Sequence, residues 1–217
     1  MQDLLLYQGE KMGVDLLWNA AVIYGELNNV GYSILLGRKK QMYQLDICFT
    51  YESFYHLADL QHLPDITYPS KNKERIYKDI CNRKIKYETI AKSAFFKEYN
   101  IKERLENLPQ LEKMLDNTGG IFRINRNLYR EYTTIKADYL VEYIMPDQTN
   151  EILYFFLIAM NKQQSETLQT GCSFFKRHDI DYSRGMAKTT LLLAEKTTDL
   201  ERGSKILLYR NPNYKKD

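Results

Sequence analysis

Apolar residues recur at three- and four-residue intervals from Leu16 to Leu27 (Leu16, Leu17, Ala20, Ala21, Ile23, Tyr24, Leu27), the period of a helix with one buried face. The helical pattern covers residues 3 to 28, and Asn28-Asn29 with Gly31 supplies the stop. Two short runs follow, Tyr32 to Leu36 and Met42 to Thr50. In the second, Tyr43, Leu45, Ile47 and Phe49 alternate with Gln44, Asp46, Cys48 and Thr50, as in a half-buried strand. Gly37 to Gln41 joins the two runs, so a hairpin is expected. Residues 52 to 63 contain no Gly or Pro and Pro64 closes them, which predicts a helix of about three turns. Helical periods return at Lys73 to Asn82, Tyr87 to Tyr99 and Ile101 to Leu115, the last kinked at Pro109.

Beyond Gly120 the pattern changes to strand-length apolar runs: Ile121 to Ile124, Tyr139 to Ile144, Ile152 to Ala159, Ser173 to Lys176, Thr189 to Glu195 and Lys205 to Tyr209. Ser173 to Lys196 reads as a hairpin, an apolar strand and a second apolar strand joined by a polar loop. Helices first and strands after predict an α+β fold, with an N-terminal helix and hairpin, several helices, then a C-terminal antiparallel sheet. One domain spanning 1–217 is expected, mostly helical over 1–116 and mostly sheet over 117–217.

Composition narrows the function more than the fold. With 44% hydrophobic residues in 217, the chain can bury a substantial core. A net charge of +3 is too small to announce nucleic-acid binding by itself. The charge is uneven, however: Lys71 to Arg104 holds eleven Lys or Arg against five Asp or Glu, either a solvated helical face or a phosphate-contacting one. Cys48, Cys81 and Cys172 are too far apart for a disulfide framework or a zinc pattern, and they read as core thiols of a cytoplasmic protein. The longest apolar run, Ile152 to Met160, is too short for a membrane span. Phosphate-binding loops, dinucleotide fingerprints and metalloprotease or serine-hydrolase motifs are absent from the sequence.

Two regions remain as candidates for chemistry. The first is Phe54-Tyr55-His56-Leu57-Ala58-Asp59-Leu60, where His56 falls between Leu60 and Leu63 on a helical wheel and Asp59 lies three residues on. A core histidine with a satisfied hydrogen bond is the ordinary alternative to a proton-transfer role. His56 and His62, six residues apart, diverge by well over 90° on a straight helix, so they form no metal pair. The second is the mouth of the expected 173–196 hairpin. It offers hydroxyls from Ser173, Tyr182, Ser183, Thr189 and Thr190 and cations from Arg177, Arg184 and Lys188, a set suited to a phosphodiester.

The order of these signals resembles a known group. Tyr24-Gly25-Glu26-Leu27-Asn28-Asn29 precedes the hairpin and the His56 segment. Arg75-Ile76-Tyr77-Lys78-Asp79-Ile80, Tyr87-Glu88-Thr89-Ile90-Ala91-Lys92-Ser93, Lys136-Ala137-Asp138-Tyr139-Leu140, Ser173-Phe174-Phe175, Tyr182 and Thr190-Leu191-Leu192-Leu193 follow. In this order the chain is similar to the phage-associated branch of the barnase–EndoU–colicin–RelE-like nucleases, found on mobile elements of Gram-positive bacteria. The resemblance implies helices packed on an antiparallel sheet and a metal-independent endoribonuclease that needs no cofactor. One departure stands out: such a helix tends to carry His-Leu-x-Gly-Leu, and here Asp59 replaces the glycine. A carboxylate there would either tune His56 or block a close backbone approach.

On this scheme RNA is cut by its own 2′-hydroxyl, with His56 as acid or base. Tyr182 and Thr190 bind or polarise the phosphate, Lys188 or Arg184 stabilises its growing charge, and Lys136, Ser173 and Arg177 contact substrate. A cognate antitoxin or immunity protein is the expected partner of a toxin or mobile-element effector of this kind. A catalytically inactive RNA- or protein-binding module of the same fold is the alternative.

Overall fold

The computed structural model describes residues 15–117, 119–125, 133–146, 150–161 and 165–215, so the first part of the expected N-terminal helix, residues 3–14, lies outside them. Helix α1 (Leu16–Glu26) starts where Asp15 accepts the Trp18 N–H (2.9 Å), and it buries Leu17, Ala20, Ala21 and Tyr24. Its Gly25 is required by contact: a Cβ there would run into the Tyr77 hydroxyl, which donates to the Ala21 carbonyl (2.9 Å). The expected hairpin forms from β1 (Val30–Arg38) and β2 (Gln41–Cys48).

The helix expected over 52–63 is shorter. Helix α2 (Tyr51–Leu57) is capped by Thr50, which accepts the Ser53 N–H, and it ends before Asp59, whose backbone is left-handed (φ 59°). A single 3-10 turn, Leu60–His62, completes the segment. Helix α3 (Lys73–Cys81) forms where its period predicts and is capped by Asn72, which accepts the Arg75 N–H (2.8 Å). The helix expected over 87–99 is only α4 (Tyr87–Ile90). Asp65 takes the Ser93 hydroxyl (2.6 Å) and the Ala94 N–H (2.8 Å), holding the following residues in turns. Helices α5 (Ile101–Asn107) and α6 (Leu111–Asp116) are separated by a 3-10 turn at Pro109, the expected kink.

The strands are β3 (Gly120–Arg123), β4 (Tyr139–Ile144), β5 (Ile152–Asn161), β6 (Ser165–Lys176), β7 (Ala187–Lys188), β8 (Thr190–Thr198) and β9 (Ser204–Arg210). They join β1 and β2 in one sheet of order β7-β3-β4-β5-β6-β2-β1-β8-β9. The α+β expectation holds, but the sheet is not confined to the C-terminal half. The early hairpin enters it through a short parallel contact, Asp46 and Ile47 against Leu168 and Gln169.

The expected 173–196 hairpin does not form. β6 is flanked by β5 and β2, while β7 pairs with β3 and β8 with β1 and β9. The connection 177–186 instead crosses the sheet face and buries Tyr182 and Met186 against its aromatic residues. Because β7 and β8 are separated only by Thr189, this segment joins one edge of the sheet to the strand next to the other edge and curls it. Thr189 makes the junction, donating both its N–H (2.9 Å) and its hydroxyl (2.7 Å) to the Ile121 carbonyl.

Alternation along the strands gives the sheet two apolar faces. One, with Ile34, Leu45, Ile47, Val141, Phe155 and Leu157, packs on the helices. The other carries Phe122, Leu140, Tyr154 and Phe156, covered by Tyr182 and Met186 and by Ile135 and Ala137.

Candidate active site

Past Gln169 the β2–β6 pairing ends, and α2 with α5 fills the space along β6. Ser53 hydrogen-bonds Thr170 (2.8 Å), and Arg104 Nη1 donates to the Phe174 carbonyl (2.8 Å). The left-handed turn at Asp59 directs its buried carboxylate into this space. Oδ1 meets the Gln61 amide (2.7 Å) and Nδ1 of His62 (2.8 Å), and Oδ2 lies 3.1 Å from Arg104 Nη2. The His62 ring stacks on Tyr99 (4.6 Å between centroids, 10° between planes).

Asp59 therefore does not block the fold. Asp is among the few side chains that tolerate a left-handed backbone, which explains how it replaces a glycine. Nor is Asp59 the partner of His56 that helical spacing suggested. Nε2 of His56 lies 2.8 Å from Lys73 Nζ, at the start of α3. Burial, then the Lys73 charge, push the His56 pKa below the usual imidazole value, against weaker upward pulls from Gln61, Asp59 and Glu52. An ammonium only donates, so this contact makes Nε2 the acceptor of a neutral ring.

Arg104 links this network to the second candidate region. Its guanidinium covers the Phe175 ring (5.1 Å), and burial, which lowers its pKa, is opposed by Asp59, Tyr182 and Glu103. Tyr182 packs edge-on against Tyr154, Phe156 and Phe175. Asp181 beside it accepts from the Tyr154 hydroxyl (3.1 Å) and pairs with Arg177 (3.2 Å). His56, on the helix that packs against one sheet face, and Tyr182, which covers the other, therefore do not share one cleft; Arg104, over Phe175, lies between them.

The other expected site residues disperse. Lys188, Phe122, Leu140, Phe156 and Ser173 are successive partners across five strands and share the face that Tyr182 covers. Ser173 is buried in that row, and Lys188 is exposed at its far end. Thr190 is exposed opposite Gly37 of β1, Arg184 is exposed in the crossing loop, and Lys136 is exposed beside Cys172, whose thiol reaches its carbonyl (3.6 Å). Sequence reasoning missed Lys73, Gln61 and Arg104. The family glycine at position 59 was the available signal, since glycine there announces a left-handed turn that ends the helix. Among the described residues, no group of three or more His, Cys, Asp or Glu is placed to hold a metal ion, and no helix is long and apolar enough to cross a membrane.

An α+β chain with a curled sheet, packed helices and a histidine–lysine pair beside a buried carboxylate–arginine network belongs to a class that suits phosphodiester chemistry. Residues 16–211 match the family described as phage-Barnase-EndoU-ColicinE5/D-RelE like nuclease4, and the chain belongs to that family. No curated protein and no solved structure matches it.

Proposed function

We propose that the protein is an endoribonuclease, a single nuclease domain that cuts RNA by transesterification without a metal ion. The observation that carries this reading is the contact of Lys73 with Nε2 of a neutral His56 (2.8 Å). A phosphodiester gives the ammonium a charged partner in place of a neutral ring, and charge-assisted hydrogen bonds are the stronger ones. Lys73 then turns to the phosphate and leaves Nε2 free as the base for the 2′-hydroxyl. Ser173 and Tyr182 are packed into the opposite sheet face and serve its core, so the exposed Arg184, Lys188, Lys136 and Thr190, with half-buried Arg177, hold at most the strand flanking the cut.

Purified protein incubated with total RNA in EDTA is expected to leave 2′,3′-cyclic phosphate ends and to spare DNA, which lacks the attacking hydroxyl. His56→Ala should lose about 10²-fold or more in rate while still binding RNA. Cleavage of DNA, or a strict need for Mg²⁺, would sink the mechanism.

The alternative is an RNA- or protein-binding module without catalysis. Lys73 favours it, because it occupies the very nitrogen a base would use. Intact RNA after long incubation, with binding retained, would select the module. In a mobile-element setting, the enzyme would act on cytoplasmic RNA as a toxin held by a neutralising partner. Growth arrest on expression, relieved by His56→Ala, is the corresponding test.

A further inference from the structure

Cleavage by the 2′-hydroxyl needs a second group, one that gives a proton to the departing 5′-oxygen. Resting on the endoribonuclease reading, we infer that His62 is that general acid. On an uninterrupted helix the two histidines would point apart. The left-handed turn at Asp59 breaks the helix between them, so that divergence does not apply here. Asp59 takes the Gln61 amide (2.7 Å) and Nδ1 of His62 (2.8 Å), two and three residues past the turn that follows the His56 helix.

The orientation of His62 suits the role. Asp59 takes the Nδ1 side of the ring, so Nε2 is the nitrogen presented away from the carboxylate. Stacking on Tyr99 fixes the ring plane, and Arg104 fixes the carboxylate from its other oxygen. Asp59 is 4% exposed at its side chain and His62 is 47% exposed, so the anchor is buried and the proton donor is accessible. An imidazole that open contributes little to stability through its ion pair, which leaves a purely structural role poorly supported.

In the step itself, the 2′-oxygen loses its proton to His56 and bonds to phosphorus. The bond from phosphorus to the 5′-oxygen breaks, and that oxygen takes the Nε2 proton of His62, which enters the step as the imidazolium with its Nδ1–H on Asp59 and leaves it as the neutral ring. The products are a 2′,3′-cyclic phosphate and a 5′-hydroxyl. Exchange with solvent returns both rings to their starting state.

Leaving-group chemistry tests the assignment. The His62→Asn variant keeps an amide that can donate to Asp59 but has no atom in place of Nε2. Wild type, His62→Asn and His56→Ala would be assayed in EDTA on an oligoribonucleotide and on a ribonucleoside 3′-(4-nitrophenyl phosphate), whose leaving group departs without a proton. We expect His62→Asn to slow the oligonucleotide reaction by about 10²-fold or more and the ester reaction by only a few-fold. His56→Ala should slow both. Unchanged oligonucleotide cleavage by His62→Asn, or equal losses on both substrates, overturns the role of His62 and leaves the nuclease reading standing. A wild type that cuts neither substrate overturns that reading and this inference with it. If the Asn variant melts below wild type, His62→Ala serves as a second probe. Rescue of its oligonucleotide cleavage by added imidazole supports proton transfer, and failure of that rescue overturns it.

Discussion

At Asp59 the backbone takes φ 59° and the buried side chain serves Arg104, His62 and Gln61 together. The two demands can be separated. Asp59→Gly keeps the turn and removes the carboxylate from buried Arg104, a loss of about 3 kcal/mol. Asp59→Ala removes the same carboxylate and adds the strain of an L side chain in a left-handed conformation, about 1 kcal/mol more. Urea denaturation of the two variants should rank Gly above Ala; the opposite order would mean that the turn conformation costs nothing. At His56, burial and then Lys73 lower the pKa, while Asp59 and Glu52 pull it upward less strongly. A base must be unprotonated, so kcat/KM should fall as pH drops through a limb below the usual imidazole value. Lys73→Ala should move that limb upward, because a positive charge that disfavours the imidazolium is gone. A limb that stays in place would remove Lys73 from the account of this histidine.

The elements meet at Thr189. Strand β8 reads from its apolar run alone as the partner of β6, yet it pairs with β1 and β9. The reason lies in the crossing loop: Tyr182 and Met186 have a buried aromatic face to cover, and covering it carries the chain to β3 instead of back along β6. Thr189→Val keeps the shape and the N–H bond to Ile121 but loses the hydroxyl bond. The carbonyl remains satisfied, so the cost should be about 1 kcal/mol in urea denaturation. A loss several times larger would mean that the hydroxyl, and not the backbone pairing, holds the junction.

For the whole molecule, the basic stretch from Lys71 to Arg104 is less available than its count suggests. Lys73 meets His56, Lys78 meets Glu74, Arg75 and Lys84 flank Asp79, Lys102 meets Glu106, Arg104 meets Asp59, and Arg83 stacks on Trp18 (4.2 Å). Lys71, Lys86, Lys92 and Lys97 are exposed. If those four contact RNA, replacing them together by Ala should flatten the slope of log affinity against log salt by about 3. Filter binding of single-stranded RNA across a salt series measures that change, and an unchanged slope would remove these four from the RNA surface.

Periodicity and punctuation were enough to locate α1, α3, the β1–β2 hairpin, the break at Pro109 and most strands of the second half, because these depend on which residues neighbour each other along the chain; they did not locate β7 or the start of β6 at Ser165. The order of short apolar motifs was enough for the family. Strand partners, the crossing of 177–186 and the closure at Thr189 were decided only by the tertiary structure, since a strand's own alternation says which face is buried and nothing about which strand lies beside it. The site divides in the same way. His56 stood out by residue type, but Lys73 is 17 residues away in sequence and Arg104 is 48, and only the left-handed turn at Asp59 and the packing of α2 and α5 along β6 bring such distant charges into hydrogen-bonding range.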